Sequence, residues 1–271
     1  MHEKERLSFL LLLIFVIIYL FPFLIAFSVA FKPFSELFIF PPTIIPRSLS
    51  WEGFSQLFVS MPILRWVFNS FLISSTATVL ALFLAVFPAY ALSRMKFKGR
   101  DLIYRIIISS LMIPLAAYII PLFLIYKNLG WINSYYGLIN PVSESIYAVF
   151  FLTQFFKALP KEVEEAAIID GCSRIRILFN IIIPNNIPAI ISVSFLIFLW
   201  KWNMFYLPLV ILDDPQYYPV AYGIVAEAGK YIGYYNLLMS GIIITIIPLI
   251  IIYFIISKHV IESLIELGIK G

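Results

Sequence analysis

Glu144 and Lys201 each fall inside a long apolar run of this 271-residue chain. Charges at such depth are costly in hydrocarbon and ordinarily face a partner or a watery pathway. Taking Lys157 and Pro188 as inner boundaries, each charge stands thirteen residues in. At about 1.5 Å per residue, both lie roughly 20 Å from that edge, level with each other. Trp200, Trp202, Asn203 and Tyr206 are sequence neighbours of Lys201. Aromatic faces beside a few hydrogen-bonding groups suit a sugar ring, so these six residues are expected to face one polar cavity. The alternative puts Glu144 in an outer turn and lets Lys201 carry its ammonium to the surface on its long stem.

The stretch EEAAIIDGCSRIRILFNIIIP, Glu164 to Pro184, is the second candidate. Pro160 suits the first position of a helix, where its missing N–H would be unpaired anyway. Glu162, Glu164 and Glu165 follow in the first turns, where the helix dipole favours acids. Ala166, Ala167, Ile168 and Ile169 continue the helix, Asp170 follows, and Gly171 can take the left-handed conformation that ends it. Ser173 can cap a second helix, Arg174 to Ile183, which Pro184 is expected to terminate. Small Ala residues beside acids give a slim surface that could enter a groove on a partner. An amphipathic linker resting on lipid headgroups is the other reading.

The elements that position these residues follow from composition. Hydrophobic residues make up 62% of the chain and charged residues 13%, against roughly 45–50% and about 25% in soluble domains. The bilayer must be the solvent for most of this surface. A span needs about 20 mainly apolar residues, and six are expected, at 7–31, 66–92, 102–126, 136–156, 187–212 and 237–257. The fold class is therefore an all-α integral membrane protein, with residues 1–271 as one domain and a cytoplasmic loop at 158–186. The first run follows Lys4 and Arg6 and ends near Ser28-Val29-Ala30, which resembles a cleavage site. It is too long for a signal core of about 7–15 residues, so it reads as a retained span.

Lys and Arg alternate between the connections. Thirteen lie on one side, five on the other, and Lys201 is inside a span. The excess marks the cytoplasm, which puts both termini and the Glu164–Pro184 stretch there in a multi-pass protein of the cell membrane.

Chemistry of several kinds is excluded. Cys172 is alone and the two histidines are His2 and His259, so no metal site or zinc motif can be read. Gly223 to Lys230 has five residues between its glycines instead of four, and Tyr231 replaces the Ser or Thr of a phosphate loop. No nucleophile with a partnered base is legible, and nothing points to nucleic acid. The chain does not read as an enzyme.

The opening pattern of the loop resembles the EAA loop of ABC importer permeases: Glu165-Ala166-Ala167, then Gly171, then Ile181-Ile182-Ile183-Pro184, with Ile183 in place of the usual Leu. "LPKEVEEAA" and Asp170 resemble the carbohydrate-importing branch, maltose type. "FNSFLISS" (68–75), "AYALSRMKFKGR" (89–100), "MIPLAAYIIPLFLIYKNLGWINSYYGLI" (112–139), "FLWKWNMFYLPL" (198–209) and the closing "LGIKG" are similar to its second permease. Met204 stands where that family more often has Asp. The resemblance implies that the loop couples to an ATPase through Glu164, Glu165, Ala166, Ala167, Asp170, Gly171 and Pro184. It also implies a second homologous permease, two copies of an ABC ATPase subunit carrying ATP and Mg, an extracytoplasmic solute-binding protein, and membrane lipid around the spans. No cofactor is expected on this chain itself. Another polar solute as cargo, or a membrane scaffold or sensor that docks a soluble partner, are the alternative functions. The outer segment 213–236, too polar to span, is expected either to reach the binding protein or to form a solvated hairpin.

Overall fold

Runs of Ile, Leu, Phe and Val become helices, and no strand occurs among the described residues. The computed structural model describes residues 2–268, with side chains described for 7–259. The helices are α1 (His2–Ala30), α2 (Glu52–Ser60), α3 (Ile63–Arg94), α4 (Arg100–Ser110), α5 (Leu115–Leu129), α6 (Tyr135–Ile139) and α7 (Val142–Ala158). After these come α8 (Lys161–Ile169), α9 (Arg174–Ile177), α10 (Ile183–Asn185), α11 (Ile187–Trp202), α12 (Tyr206–Ile211), α13 (Val220–Ala228) and α14 (Tyr235–Gly268). A π-helical turn, Leu178–Ile182, joins α9 to α10. The last residues of the "LGIKG" tail lie outside the described residues.

Leu7–Ala30, Ile63–Arg94 and Tyr235–His259 are long and apolar enough to cross a membrane. Two bent pairs raise the number to five if each is one span: Arg100–Ser110 with Leu115–Leu129, at 92°, and Arg174–Asn185 with Ile187–Trp202, at 80°. The stretches expected as spans at 102–126, 136–156 and 187–212 are each interrupted, and proline chemistry supplies the reason. A proline disfavours helical geometry in the residue before it. Pro114, itself extended, separates α4 from α5, and Asn140, just ahead of Pro141, leaves the helical region and ends α6. Pro208 has no N–H to return to the carbonyl of Met204, which weakens the helix where α11 gives way to α12. α7 alone has 17 residues, about 25 Å at 1.5 Å per residue.

The chain forms two compact units, residues 1–67 with 220–248 and residues 68–219 with 249–271. In the first, most of α1 keeps its large apolar side chains exposed, as a lipid-facing helix does. Its connection to α2 is tied by polar groups. Glu36 accepts from Thr43 Oγ1 at 2.7 Å and from the Arg47 amide at 3.1 Å, and the Lys32 ammonium donates to the Thr43 carbonyl. The Thr43 hydroxyl, helped by the Arg47 amide and against the pull of burial, holds the Glu36 carboxyl below its ordinary range.

The solvated-hairpin reading of 213–236 is corrected for its helical part. Val220, Tyr222 and Ile224 of α13 are buried, because a recess at Gly223 seats the helix on Trp66. A Cβ at Gly223 would stand 2.5 Å from the Trp66 ring, and Trp66 is fully buried. Gly223→Ala is therefore expected to destabilise by about 1–3 kcal/mol through overpacking. A lowered thermal midpoint in detergent checks this; an unchanged one contradicts the packing.

In the second unit, Ala81, Ala85 and Ala89 of α3 are fully buried at four-residue spacing. Such small side chains let membrane helices approach closely. Leu152 and Phe156 of α7 and Ala189 and Val193 of α11 complete that core, which also holds Ala167, Ile177, Leu178 and Ile182 from the loop.

Candidate functional site

The loop is built as its sequence specifies through its turn. Pro160 caps α8 in an extended conformation, one residue before the first helical position expected for it. Gly171 has φ +78°; its amide donates to the Ile168 carbonyl at 3.0 Å, and the Cys172 amide to that of Ala167 at 2.9 Å. That bond pair is the Schellman closure. Ser173 Oγ accepts from the Arg176 amide at 3.4 Å and caps α9. The second helix departs from expectation: Pro184 does not end it, and the break comes at Asn186. A proline removes one i→i−4 bond and crowds the carbonyl four residues back. The π turn immediately ahead, with bonds reaching five residues back, gives the ring room.

Glu165, Ala166, Asp170 and Gly171 are exposed, as are Val163, Ile168 and Ile169, so α8 presents a slim, partly apolar face. Glu164 turns the other way and is only 6% exposed. It accepts from Tyr90 Oη at 3.1 Å and from Arg174 Nη1 at 2.7 Å. Arg94 Nε lies 3.9 Å from its other oxygen, while Arg94 Nη2 donates to the Leu159 carbonyl at 2.7 Å. Glu164 thus straps α8 to the end of α3, and Ala167 seats in the core beneath it. The sequence pattern grouped Glu164 with its exposed neighbours, and its position one turn from Ala167 was no signal for Tyr90 or Arg94.

At the other site the three helix breaks converge. Ser110 to Leu115, Asn140 and Asn203 to Tyr206 line one cavity of about 830 Å³ together with Glu144 and Lys201. Lys201 Nζ lies 3.2 Å from Glu144 Oε1 and donates to the carbonyls of Leu138 at 3.1 Å and Asn140 at 2.9 Å. Broken helices leave unsatisfied carbonyls at their ends, and the ammonium satisfies those of α6. Glu144 sits in the first turn of α7 and Lys201 in the last turn of α11, each at the helix end whose dipole favours its charge. Lys201 is 4% exposed and does not reach for the surface. Trp200, Asn203 and Tyr206 line the cavity; Trp200 packs on Tyr147 with ring centres 4.5 Å apart. Trp202 is a correction. It is fully buried and stacks on Phe198, because two residues along a helix lie on nearly opposite faces from Trp200. Tyr118, Tyr126, Asn140 and Tyr147 also line the cavity and were missed; Pro114 and Pro141 were the signals that could have found the breaks beside them.

One further polar site anchors the segment that follows α12 within this unit. Asn69 Nδ2 donates to the carbonyls of Gln216 and Tyr218, both at 2.9 Å, and its Oδ1 accepts from Tyr135 Oη at 2.8 Å.

Interrupted apolar helices that meet at a polar cavity are the build of a membrane transport subunit. Residues 77–265 match the family described as the binding-protein-dependent transport system inner membrane component, and the chain belongs to that family. It is 35% identical over 207 residues to the arabinooligosaccharides transport system permease protein AraQ of Bacillus subtilis, covering 76% of this chain and 74% of that one. A crystal structure of a bacterial ABC transporter that imports the acidic polysaccharide alginate superposes with TM-score 0.82 at 22% identity, covering 96% of this chain and 97% of its counterpart. A second structure, of the alginate transporter with a pentasaccharide-bound periplasmic protein, gives 0.68 at 16% identity over 94% of each chain. The protein is a multi-pass permease component of a binding-protein-dependent ABC importer.

Proposed function

We propose that this chain is one of two homologous permeases in an ATP-driven sugar importer, with residues 1–271 acting as one domain of six spans. Both termini and the loop face the cytoplasm, where two ABC ATPase subunits carry ATP and Mg and hydrolyse the nucleotide. An extracytoplasmic binding protein delivers the solute from outside. Closure of the ATPase dimer draws α8 and its counterpart together, and the spans rock between inward-facing and outward-facing states around a central site. The observation that carries this reading is the strap from Glu164 to Tyr90 and Arg94, which ties a loop with an exposed docking face directly to a membrane-spanning helix. AraQ is named for arabinooligosaccharides and the solved transporter for acidic alginate, which supports a saccharide cargo here without fixing its charge.

The test is a Glu165→Lys, Gly171→Val double variant, assembled with the ATPase subunits and reconstituted into vesicles with the binding protein. Valine at a φ of +78° costs about 1 kcal/mol or more, and the new lysine reverses the charge of the exposed face. Loss of ATPase co-purification and of uptake, with the helical content retained, is expected. Normal binding and normal uptake would mean that the loop does not dock the ATPase.

A further inference from the structure

We infer that the cavity around Glu144 and Lys201 selects uncharged saccharides and rejects anionic ones. The inference rests on the sugar-importer reading and adds the charge class of the cargo. No lining residue other than these two carries a charge, and they neutralise each other at 3.2 Å. The ammonium has three N–H groups. Glu144, Leu138 and Asn140 take all three, so none remains to bind a carboxylate, sulfate or phosphate. The pair is also unequal in access: the Glu144 side chain is 14% exposed and that of Lys201 is 5%. What an entering solute meets is the acid. Glu144 spends one bond on Ser143 Oγ, at 3.1 Å, and a carboxylate has about four lone-pair sites, so it retains capacity to accept from sugar hydroxyls.

The rest of the lining agrees. Trp200, packed on Tyr147, offers an apolar face for a sugar ring. Tyr126 Oη accepts from Asn140 Nδ2 at 2.6 Å, which leaves its own proton to donate. Asn203 Nδ2 donates one of its two N–H groups to the Leu199 carbonyl at 2.9 Å, leaving the other N–H and the oxygen for hydroxyls. Each of these groups pairs with a neutral hydroxyl, and none compensates an anion. An anionic solute would have to strip Lys201 from its carbonyls and would then lie beside Glu144.

The experiment uses the permease and ATPase assembly in lipid nanodiscs, without the binding protein, and follows tryptophan fluorescence. The probes are maltotriose, which is neutral, and trigalacturonic acid, which has a similar length and a carboxylate on every ring. A Trp200→Phe variant assigns the signal to this cavity. Maltotriose is expected to quench Trp200, and the acid to bind at least tenfold more weakly, a factor worth about 1.4 kcal/mol. Glu144→Gln keeps an oxygen for Lys201 while removing the negative charge, and should shrink that gap about tenfold. Ser143→Lys leaves the pair intact and adds a free cation to the lining, and should shrink it as well. Equal binding of both probes to the unaltered protein, no Trp200 response to either, or a gap that neither variant narrows would overturn the inference. The same assembly is also reconstituted into vesicles with the binding protein, and ATP-dependent sugar uptake there alongside any of those results refutes the charge selection alone. Absence of ATP-dependent uptake refutes the importer reading instead.

Discussion

Lys201→Met is expected to lower the thermal midpoint sharply and to abolish uptake. Methionine matches the lysine stem in length and apolar character and lacks only the terminal nitrogen, so the effect isolates the ammonium. Its loss leaves the Glu144 carboxylate without the cation 3.2 Å away and strips the Leu138 and Asn140 carbonyls of their donor. Breaking a buried ion pair from one side costs about 3–5 kcal/mol, and each buried acceptor left unpaired adds about 1–3 kcal/mol, although the three are not additive. The double variant Lys201→Met, Glu144→Gln removes the stranded charge and should recover part of the midpoint. It should not recover all, because the α6 carbonyls remain unsatisfied. Thermal unfolding in detergent and uptake in vesicles measure the two effects. An unchanged midpoint in the single variant would mean that the break between α6 and α7 is held by something other than Lys201.

That pair also shows how far the sequence could be read. Counting residues from inner boundaries placed Glu144 and Lys201 at one level, and the structure brings them into contact. The count worked although both host spans are interrupted, because the breaks at Asn140 and at Asn203 to Phe205 lie beyond the counted stretches. Hydropathy averages over the breaks, since Leu111, Met112, Ile113, Met204 and Phe205 are as apolar as the helices around them. Backbone chemistry gives a partial mark: Pro114, Pro141 and Pro208 each remove a bond or disfavour a conformation there, as do Pro88 and Pro248 inside helices that continue past them. The turn at Gly171 was legible because a left-handed position and a Ser cap leave residue-type signatures. The inward turn of Glu164 was not, since its partners Tyr90 and Arg94 lie about seventy residues earlier and nothing local announces them. Trp202 failed for a simpler reason. Adjacency in sequence to Lys201 and Trp200 is not adjacency in space, and helical rotation sends it into the core against Phe198.

The strap at Glu164 gives the second large effect, and it separates docking from transmission. Glu164→Ala leaves the exposed face of α8 untouched, so the ATPase should still co-purify. What it removes is the acceptor of Tyr90 Oη and Arg174 Nη1 and the counter-charge of Arg94. Arg174 is half exposed and water can take over its bond, so its share is small. Arg94 is different: its side chain is 2% exposed, its Nε has no hydrogen-bond partner, and its Nη2 holds only the Leu159 carbonyl. A guanidinium buried without its acid costs several kcal/mol, of the order of 3–5 for a fully buried pair. The chain can relieve that cost by letting the end of α3 and α8 part. Motion of the ATPase would then move α8 without moving the span. ATP hydrolysis should continue while solute uptake per ATP falls at least tenfold, and Glu164→Gln, which still accepts from Tyr90 and Arg174, should fall in between. Glu165→Lys, on the outward face, should instead weaken co-purification. Uptake at the normal rate in Glu164→Ala would show that force reaches the spans by another route, through the core contacts of Ala167, Ile177 and Leu178 beneath the loop.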